Sequence, residues 1–338
     1  MRELEVLIVT HRRPETLKLT IASVTAEVRR AAISAHIKIL LNGPDDTSRE
    51  WLRAQSLEYF ESPITLGPSA ARNFLAKRSS APWVLFLDDD CVLPEQFFVQ
   101  FKKIVSERIP GAQAIGGPNL TPPGATPFEQ ACGQVLGHSF ASLRSAWRYR
   151  ENEEYFRCTD VELTSTHLFV RAEVIAKVEF PIEFQTAEEN AFLHRVRQAG
   201  FHEIYYFGEL FVYHERRKTW LAFAWQIFRY GRGRGQMVRD GFSFSWFHFV
   251  PAALVAMIVG SLFWPVATIA IVYGVLLLLY KVALVVATLT LTKAKGEGEY
   301  QAPWRAPLLF VTVHVAYVLG WWWGFVARSS PKTESTLS

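Results

Sequence analysis

Over the first two thirds of the chain, short apolar runs alternate with stretches of helical periodicity. EVLIV (5–9), HIKILL (36–41) and WVLFL (83–87) have the length and composition of buried strands. After the first, THRRPETLKLTIASVTAEVRRA places Leu17, Ile21, Val24 and Val28 on one helical face, with Pro14 suited to the first turn. NGPDDTS reads as a turn after the second run. SAARNFLAKRSS reads as a helix, and PEQFFVQFKKIVSERI as another, opened by Pro94. TAEENAFLHRVRQAG (186–200) turns Ala191, Phe192 and Val196 inward and stops at Gly200. Such alternation predicts an α/β domain with a mostly parallel sheet, whose ligands bind beyond the carboxyl ends of the strands. Thr10 to Arg13, Asn42 to Asp46 and Asp88 to Asp90 fall at such ends, so they are expected to meet in one crevice.

The pattern changes after residue 217. KTWLAFAWQIFRYGRGRG (218–235) carries an apolar stripe of Trp220, Phe223 and Ile227 followed by arginines, which suits a helix lying in a membrane interface. From Phe247 to Thr292 the only charge is Lys281, and the stretch is too long for one crossing of a bilayer core. It predicts spans at 247–263 and 266–291 with a turn at Trp264-Pro265. A third span is expected at 307–326, its tryptophans 321 to 323 forming an interfacial belt. Two spans, or buried helices of a soluble protein, are the competing readings. The expected division is a catalytic domain at 1–217, an interfacial helix and basic linker at 218–241, a membrane region at 247–327 and a tail at 328–338.

Composition supports that division. Of 338 residues, 50% are hydrophobic and the net charge is +4; mean hydropathy is +0.09, above that of most soluble proteins. Arg229, Arg232, Arg234 and Arg239 precede the first expected span, which points that side to the cytoplasm. MRELEVLIVT has no signal-peptide apolar region, consistent with a cytosolic start. Basic residues near the membrane favour anionic lipid or phosphate as partners over nucleic acid. Cys91, Cys132 and Cys158 are odd in number and lack metal spacing, as in a reducing compartment.

Four places carry candidate chemistry. Asp88 and Asp90, spaced i and i+2 at a strand end, can point the same way and hold a hard divalent cation; a solvated acidic turn is the plain alternative. Thr10 and Arg13 suit a nucleotide, or merely cap a helix. Glu188 and Glu189 open a helix, where acids complement the dipole; one of them is otherwise a general base for an acceptor hydroxyl. His214 ends an apolar run and matters if a metal is bound.

Together and in this order, these segments resemble glycosyltransferase family 2. VTHRRPETL is similar to the family's P-T-x-N-R-P-x-x-L opening at Thr10, Arg13, Pro14 and Leu17, with Arg12 replacing asparagine. SAARNFLAKRS resembles its A-R-N helix at Ala71, Arg72 and Asn73. FLDDDCVLP resembles its D-x-D strand end. AEENAFL resembles its E-D motif, with Glu189 where aspartate is usual, and VYHERR its histidine-terminated strand. QIFRY is similar to Q-x-x-R-W, with Tyr230 for tryptophan. Asn42 stands where an aspartate is usual, so base contact falls to Asn42 or Asp45.

The resemblance implies a GT-A fold and inverting transfer of a sugar from a nucleotide-diphosphate donor, a UDP-sugar foremost. It implies Mg²⁺ or Mn²⁺ held by Asp90 and His214 with Asp88 nearby. The donor nucleotide would meet Thr10, Arg13, Arg72 and Asp88, and Arg229 would bind the leaving diphosphate. Glu189, or Glu188 beside it, would be the base, with Gln226 and Tyr230 at the acceptor mouth. With no span before the domain, single addition to a glycan or lipid-linked acceptor is expected, in envelope polysaccharide or glycolipid synthesis at a bacterial inner or plasma membrane. A polyprenyl-phosphate glycosyltransferase, a membrane-bound nucleotidyltransferase and a non-catalytic sugar-nucleotide scaffold are the alternatives.

Overall fold

The computed structural model describes residues 3–242, 265–293 and 304–327, together with 257, 260 and 261. The chain divides into two compact units. One is built from Met1–Pro123 and Trp147–Glu215, the other from Gly124–Ala146 and Arg216–Ser330.

In the first unit, β1 (Leu4–Thr10), β2 (Ala35–Asn42), β3 (Glu58–Ser62) and β4 (Trp83–Asp88) pair in parallel, in the order β3-β2-β1-β4. Their apolar runs are nearly continuous because both faces of the sheet are covered. Leu4, Val6 and Ile8 of β1, Ile39 and Leu41 of β2, and Trp83, Leu85 and Leu87 of β4 pack into one core layer, with Leu17, Ile21 and Val24 of α1 (Pro14–Ala31). The alternate residues Leu7, Leu40, Val84 and Phe86 face a second layer with Ala71 and Leu75 of α3 (Pro68–Ala76). The segment read as a turn after β2 continues instead into α2 (Asp46–Ala54), because Asp45 caps it by accepting from Ser48 N at 3.1 Å.

Pro94 does not open the next helix. Gln96 adopts φ 67°, and α4 (Phe97–Lys103) starts only after it, running into a π turn at Ile104–Arg108. The sheet is completed by β6 (Ala114–Gly116), β8 (Tyr155–Arg157), β9 (His167–Arg171) and β10 (Ile204–Phe207), in the order β4-β9-β6-β10-β8. β9 runs antiparallel to both β4 and β6. The short α7 (Ala172–Ile175) follows it. α8 (Glu188–Gln198) buries Ala191, Phe192, Leu193 and Val196 in the second layer. A separate small sheet joins β5 (Cys91–Val92), β7 (Asn119–Leu120) and β11 (Val212–His214), with β11 in the middle.

The second unit is helical: α5 (Pro127–Leu136), α6 (Ser139–Ser142), α9 (Trp220–Arg239), α10 (Val266–Lys293) and α11 (Arg305–Val326). A capping box between Thr126 and Glu129 starts α5. α9 buries Phe223 and Ile227 of the expected stripe, and Gly231 and Gly235 continue it. A Cβ added at either glycine would collide with the carbonyl oxygen of Tyr317 or Trp321. One added at Gly320 or Gly324 would meet Phe228 or Arg232 in the same way. Two small-xxx-small pairs thus bring α9 and α11 into backbone contact, an arrangement common between membrane helices. The other side of α9 leaves Leu221 and Trp225 exposed.

Val266–Leu291 and Arg305–Val326 are long and apolar enough to cross a membrane. Much of the apolar surface of α10 is exposed, including Ile271, Leu277, Leu278 and Leu279. The first expected span, 247–263, lies outside the described residues except at 257, 260 and 261, and the tail at 328–338 lies outside them altogether.

Candidate active site

The parallel pairing of β1 with β2 and β4 brings Thr10, Asn42 and Asp88 to the same edge of the sheet. After Asp88 the chain turns, and its three carboxylates take different partners. Asp88 Oδ1 accepts from Arg72 NH2 at 3.0 Å. Asp89 points inward: Oδ2 accepts from Thr10 Oγ1 at 2.6 Å and Oδ1 from Arg13 NH1 at 3.4 Å, and its own carbonyl accepts from Thr20 Oγ1 at 2.9 Å. Burial pushes the Asp89 carboxyl up to about 6, against the opposing Thr10 bond, and Asp90 adds to the rise. Asp90 Oδ2 accepts from Arg13 NH1 at 2.9 Å.

His214 reaches this turn through the small sheet. Antiparallel pairing sets it opposite Cys91, and its Nε2 lies 3.1 Å from Asp90 Oδ1. Its buried Nδ1 has no hydrogen-bond partner among the described residues. Ligand atoms of Asp90, Cys91 and His214 lie within 4.8 Å of one another. Burial holds the Cys91 thiol far above its ordinary pKa, so the carboxylate and the imidazole are the better donors.

Arg72 joins this cluster to the helix that carries the glutamates. α3 turns Arg72 to one side and Asn73 to the other. Asn73 braces the backbone of Phe180 through both amide atoms, at 2.8 Å each. Arg72 bridges Asp88 and Glu188, donating from NH1 to Glu188 Oε1 at 2.9 Å. Burial opposes its charge, yet Asp88 and Glu188 hold its pKa above the ordinary value. Glu188 lies at the start of α8, just after Ala187 at φ 62°, a left-handed conformation that costs energy for a residue with a side chain. Burial pushes the Glu188 carboxyl up to about 7, Glu189 beside it acts the same way, and Arg72 opposes both. Glu189 takes another partner: its Oε1 accepts from Arg148 NH1 at 3.0 Å, while Arg148 Nε donates to Val161 O at 2.6 Å.

Thr10, Arg13, Arg72, Asp88, Asp90, His214, Glu188 and Glu189 are therefore linked through shared partners or sequence adjacency, with Arg148 as an addition. Two expected donor-side residues use their side chains locally. Asn42 closes the following loop, donating to Leu66 O at 3.1 Å and accepting from Leu66 N at 2.7 Å. Asp45 accepts from Ser48 Oγ at 2.7 Å as well as from the backbone of α2. Gln226, Arg229 and Tyr230 lie on α9 in the second unit, where Gln226 Nε2 donates to Tyr230 OH at 2.9 Å. Sequence reasoning turns Asp89 away from the site shared by its neighbours, and misses Arg148 and the Thr10 and Arg13 bonds that hold Asp89. RSAWRYRENEEYFR contains several arginines and nothing that marks one as the partner of a glutamate.

An acid-lined edge of a mostly parallel sheet, backed by helices and with a histidine brought in by a side sheet, is the arrangement of the GT-A fold. Residues 5–107 match the profile of Glycosyl transferase family 2. PcManGT, a mannosyltransferase from Pyrobaculum calidifontis solved in complex with GDP-Man and Mn²⁺, has the same fold at 12% identity. The match covers 94% of this chain and 88% of that one, with a TM-score of 0.57. S. aureus TarS matches at 14% identity and TM-score 0.48, over 74% of this chain and 45% of its own. TarS 1-349 in complex with UDP-GlcNAc matches at 13% and 0.48, over 74% and 75%. No curated protein matches the chain.

Proposed function

We propose that this glycosyltransferase is membrane-anchored and moves one sugar, with inversion, from a nucleotide-diphosphate donor to a glycan or lipid-linked acceptor. The observation that carries this reading is the Arg72 bridge, which ties Asp88 on the donor side to Glu188 beside the candidate base. In this reading residues 1–217 do the chemistry, α9 adjoins the membrane, and the helices after it hold the enzyme there with the catalytic domain in the cytoplasm.

The residues present fit a divalent cation. Asp88, Asp89, Asp90 and Glu188 are four carboxylates that meet the guanidiniums of Arg13 and Arg72, and His214 keeps a buried nitrogen without a partner among the described residues. Asp90 and His214 would hold Mg²⁺ or Mn²⁺, which as a Lewis acid offsets charge on a departing diphosphate. Asp88 meets the ribose. Thr10 and Arg13 hold Asp89 so that its neighbours face the donor. Glu189 accepts the proton of the acceptor hydroxyl as that oxygen attacks the anomeric carbon. Arg148 orients its carboxylate.

One observation favours a second reading. Both glutamates give a carboxylate oxygen to an arginine, which leaves less of each carboxylate to receive the proton of a hydroxyl. A polyprenyl-phosphate acceptor needs no base, because its phosphate is already an anion.

The test is a panel of nucleotide sugars on purified membranes with and without Mn²⁺, scoring released nucleoside diphosphate. Metal-stimulated release that depends on an added acceptor supports the proposal. Binding of nucleotide sugars without any release would sink it in favour of a scaffold. Release dependent on polyprenyl phosphate selects the second reading.

A further inference from the structure

Gly124–Ala146, in the segment between β7 and β8, belongs to the helical second unit and is bonded deep along its apolar helices. His314 Nε2 lies 2.8 Å from Phe140 O, and His314 Nδ1 lies 2.9 Å from Tyr280 OH. A carbonyl only accepts, so Nε2 carries the proton and the Tyr280 hydroxyl donates to Nδ1. His314 is nine residues into α11, counting from Arg305, or about 14 Å along its axis at 1.5 Å per residue. Tyr280 is eleven residues before Leu291, about 17 Å from that end of the apolar stretch. Against a hydrocarbon core of about 30 Å, both lie near half depth. The Phe140 ring packs on the same level, 4.9 Å from His314, 5.4 Å from Phe310 and 5.9 Å from Tyr280. Nearer the end of α10, His138 Nε2 lies 3.0 Å from Thr290 Oγ1.

The sequence of this segment fits that depth. From Gln130 to Leu143 it reads QACGQVLGHSFASL, with no formal charge, between Glu129 and Arg144. Charge-free stretches of about this length are too short to cross a bilayer and long enough to dip into one. Non-helical backbone survives at such depth only where its polar groups find partners in protein. Here Phe140 N donates to His138 Nδ1 at 3.1 Å and Ser142 Oγ donates to Leu136 O at 2.6 Å. Arg144 closes the stretch, and its long stem can carry the guanidinium back toward headgroups.

We infer that residues 130–143 form a re-entrant element of the membrane region, whose partner is the hydrocarbon of the bilayer against α10 and α11. This rests on the proposal that α10 and α11 span the membrane. The catalytic unit is then fastened to the bilayer by an internal segment as well as by its C-terminal helices.

The experiment places an environment-sensitive fluorophore on single introduced cysteines in the full chain, in vesicles containing lipids brominated at mid-chain. Ala141→Cys and Ser139→Cys report the segment, Leu278→Cys reports the middle of α10, and Glu153→Cys on an exposed polar stretch serves as the aqueous reference. The native cysteines are buried, and mock labelling of the unsubstituted chain checks that they stay silent. Positions 139, 141 and 278 are expected to lose fluorescence to the brominated lipid and resist aqueous iodide, with position 153 doing the reverse. Lipid quenching at 278 with iodide quenching at 139 and 141 overturns the re-entrant element and leaves the spans standing. Iodide quenching at 278 as well overturns the spans and the inference together.

Discussion

The molecule contains two runs of adjacent acids, Asp88 to Asp90 at the end of a strand and Glu188-Glu189 at the start of a helix, and it treats them differently. In the aspartate run three carboxylates gather around Arg13, Arg72 and a histidine. Asp89 is buried on Thr10 and Arg13, and Asp88 and Asp90 flank it. In the glutamate run the two acids meet different guanidiniums, Arg72, which Asp88 shares, and Arg148, and both sit beyond a strained Ala187. The aspartate run concentrates negative charge beside a histidine; the glutamate run divides its acids between two arginines and is held in place. A site that gathers a dianionic leaving group needs the first, and a group that must orient one proton needs the second.

The largest expected effect attacks the aspartate run. Asp90→Asn removes one proposed cation ligand while preserving shape and the contact with Arg13. Transfer should fall ~1,000-fold, about 4 kcal/mol of transition-state stabilisation, the scale of losing a Lewis acid. Steady-state release of nucleoside diphosphate at saturating Mn²⁺ measures it, with thermal unfolding in detergent as the control for folding. Near-normal turnover would mean that the aspartate run does not serve a metal.

The glutamate run offers a sharper contrast. Glu189→Gln should lower turnover about 100-fold, the lower end of what a general base supplies, while donor affinity stays unchanged. Glu188→Gln should weaken donor binding more than turnover, because Arg72 then loses one of the two acids that position it against Asp88. Separate titration of donor binding and single-turnover rate distinguishes them. Exchanged phenotypes would move the base to Glu188, and a fully active Glu189 variant would favour the phosphate acceptor.

How much of this contrast could be read from residues alone differs between the runs. The strands carrying Thr10 and Asp88 show as apolar runs because a sheet covered on both faces needs them so, and the position of Asp88 at a strand end follows. The arrival of His214 beside Asp90 does not, since it depends on a two-residue strand pairing across more than a hundred residues of chain. Asp89 falls between two acids spaced i and i+2, and nothing in the sequence shows what holds it. Thr10 and Arg13 bind its carboxylate and the Thr20 hydroxyl its carbonyl, from β1, the turn after it and α1. Glu188 and Glu189 are visible at the helix start, but their arginines come from α3 and from the stretch before β8. Asn42 and Asp45 were legible as polar residues at a strand end, while their bonds to Leu66 and Ser48 are settled by loop geometry. The small-residue pairs of α9 and α11 are plain in the sequence, yet only the structure sets one against the other.

The smallest expected effect asks which influence wins at Glu188, burial or Arg72. Burial raises its carboxyl from an ordinary 4.5 to about 7. Between those values the folded protein holds a proton that the unfolded chain has released, so this group's contribution to stability falls as pH rises from about 4.5 to about 7. Each unit of such a shift corresponds to about 1.4 kcal/mol. Other groups titrate in the same window: burial lowers the His167 imidazole to about 4 and raises Asp89 to about 6, with opposite slopes. The informative quantity is therefore the difference in unfolding free energy between the native chain and Glu188→Gln, from urea titrations in detergent at pH 5 and pH 7. That difference should move against the native chain as pH rises. Movement in its favour would mean that Arg72 outweighs burial and keeps Glu188 ionised, which would make the two acid runs more alike than their geometry suggests.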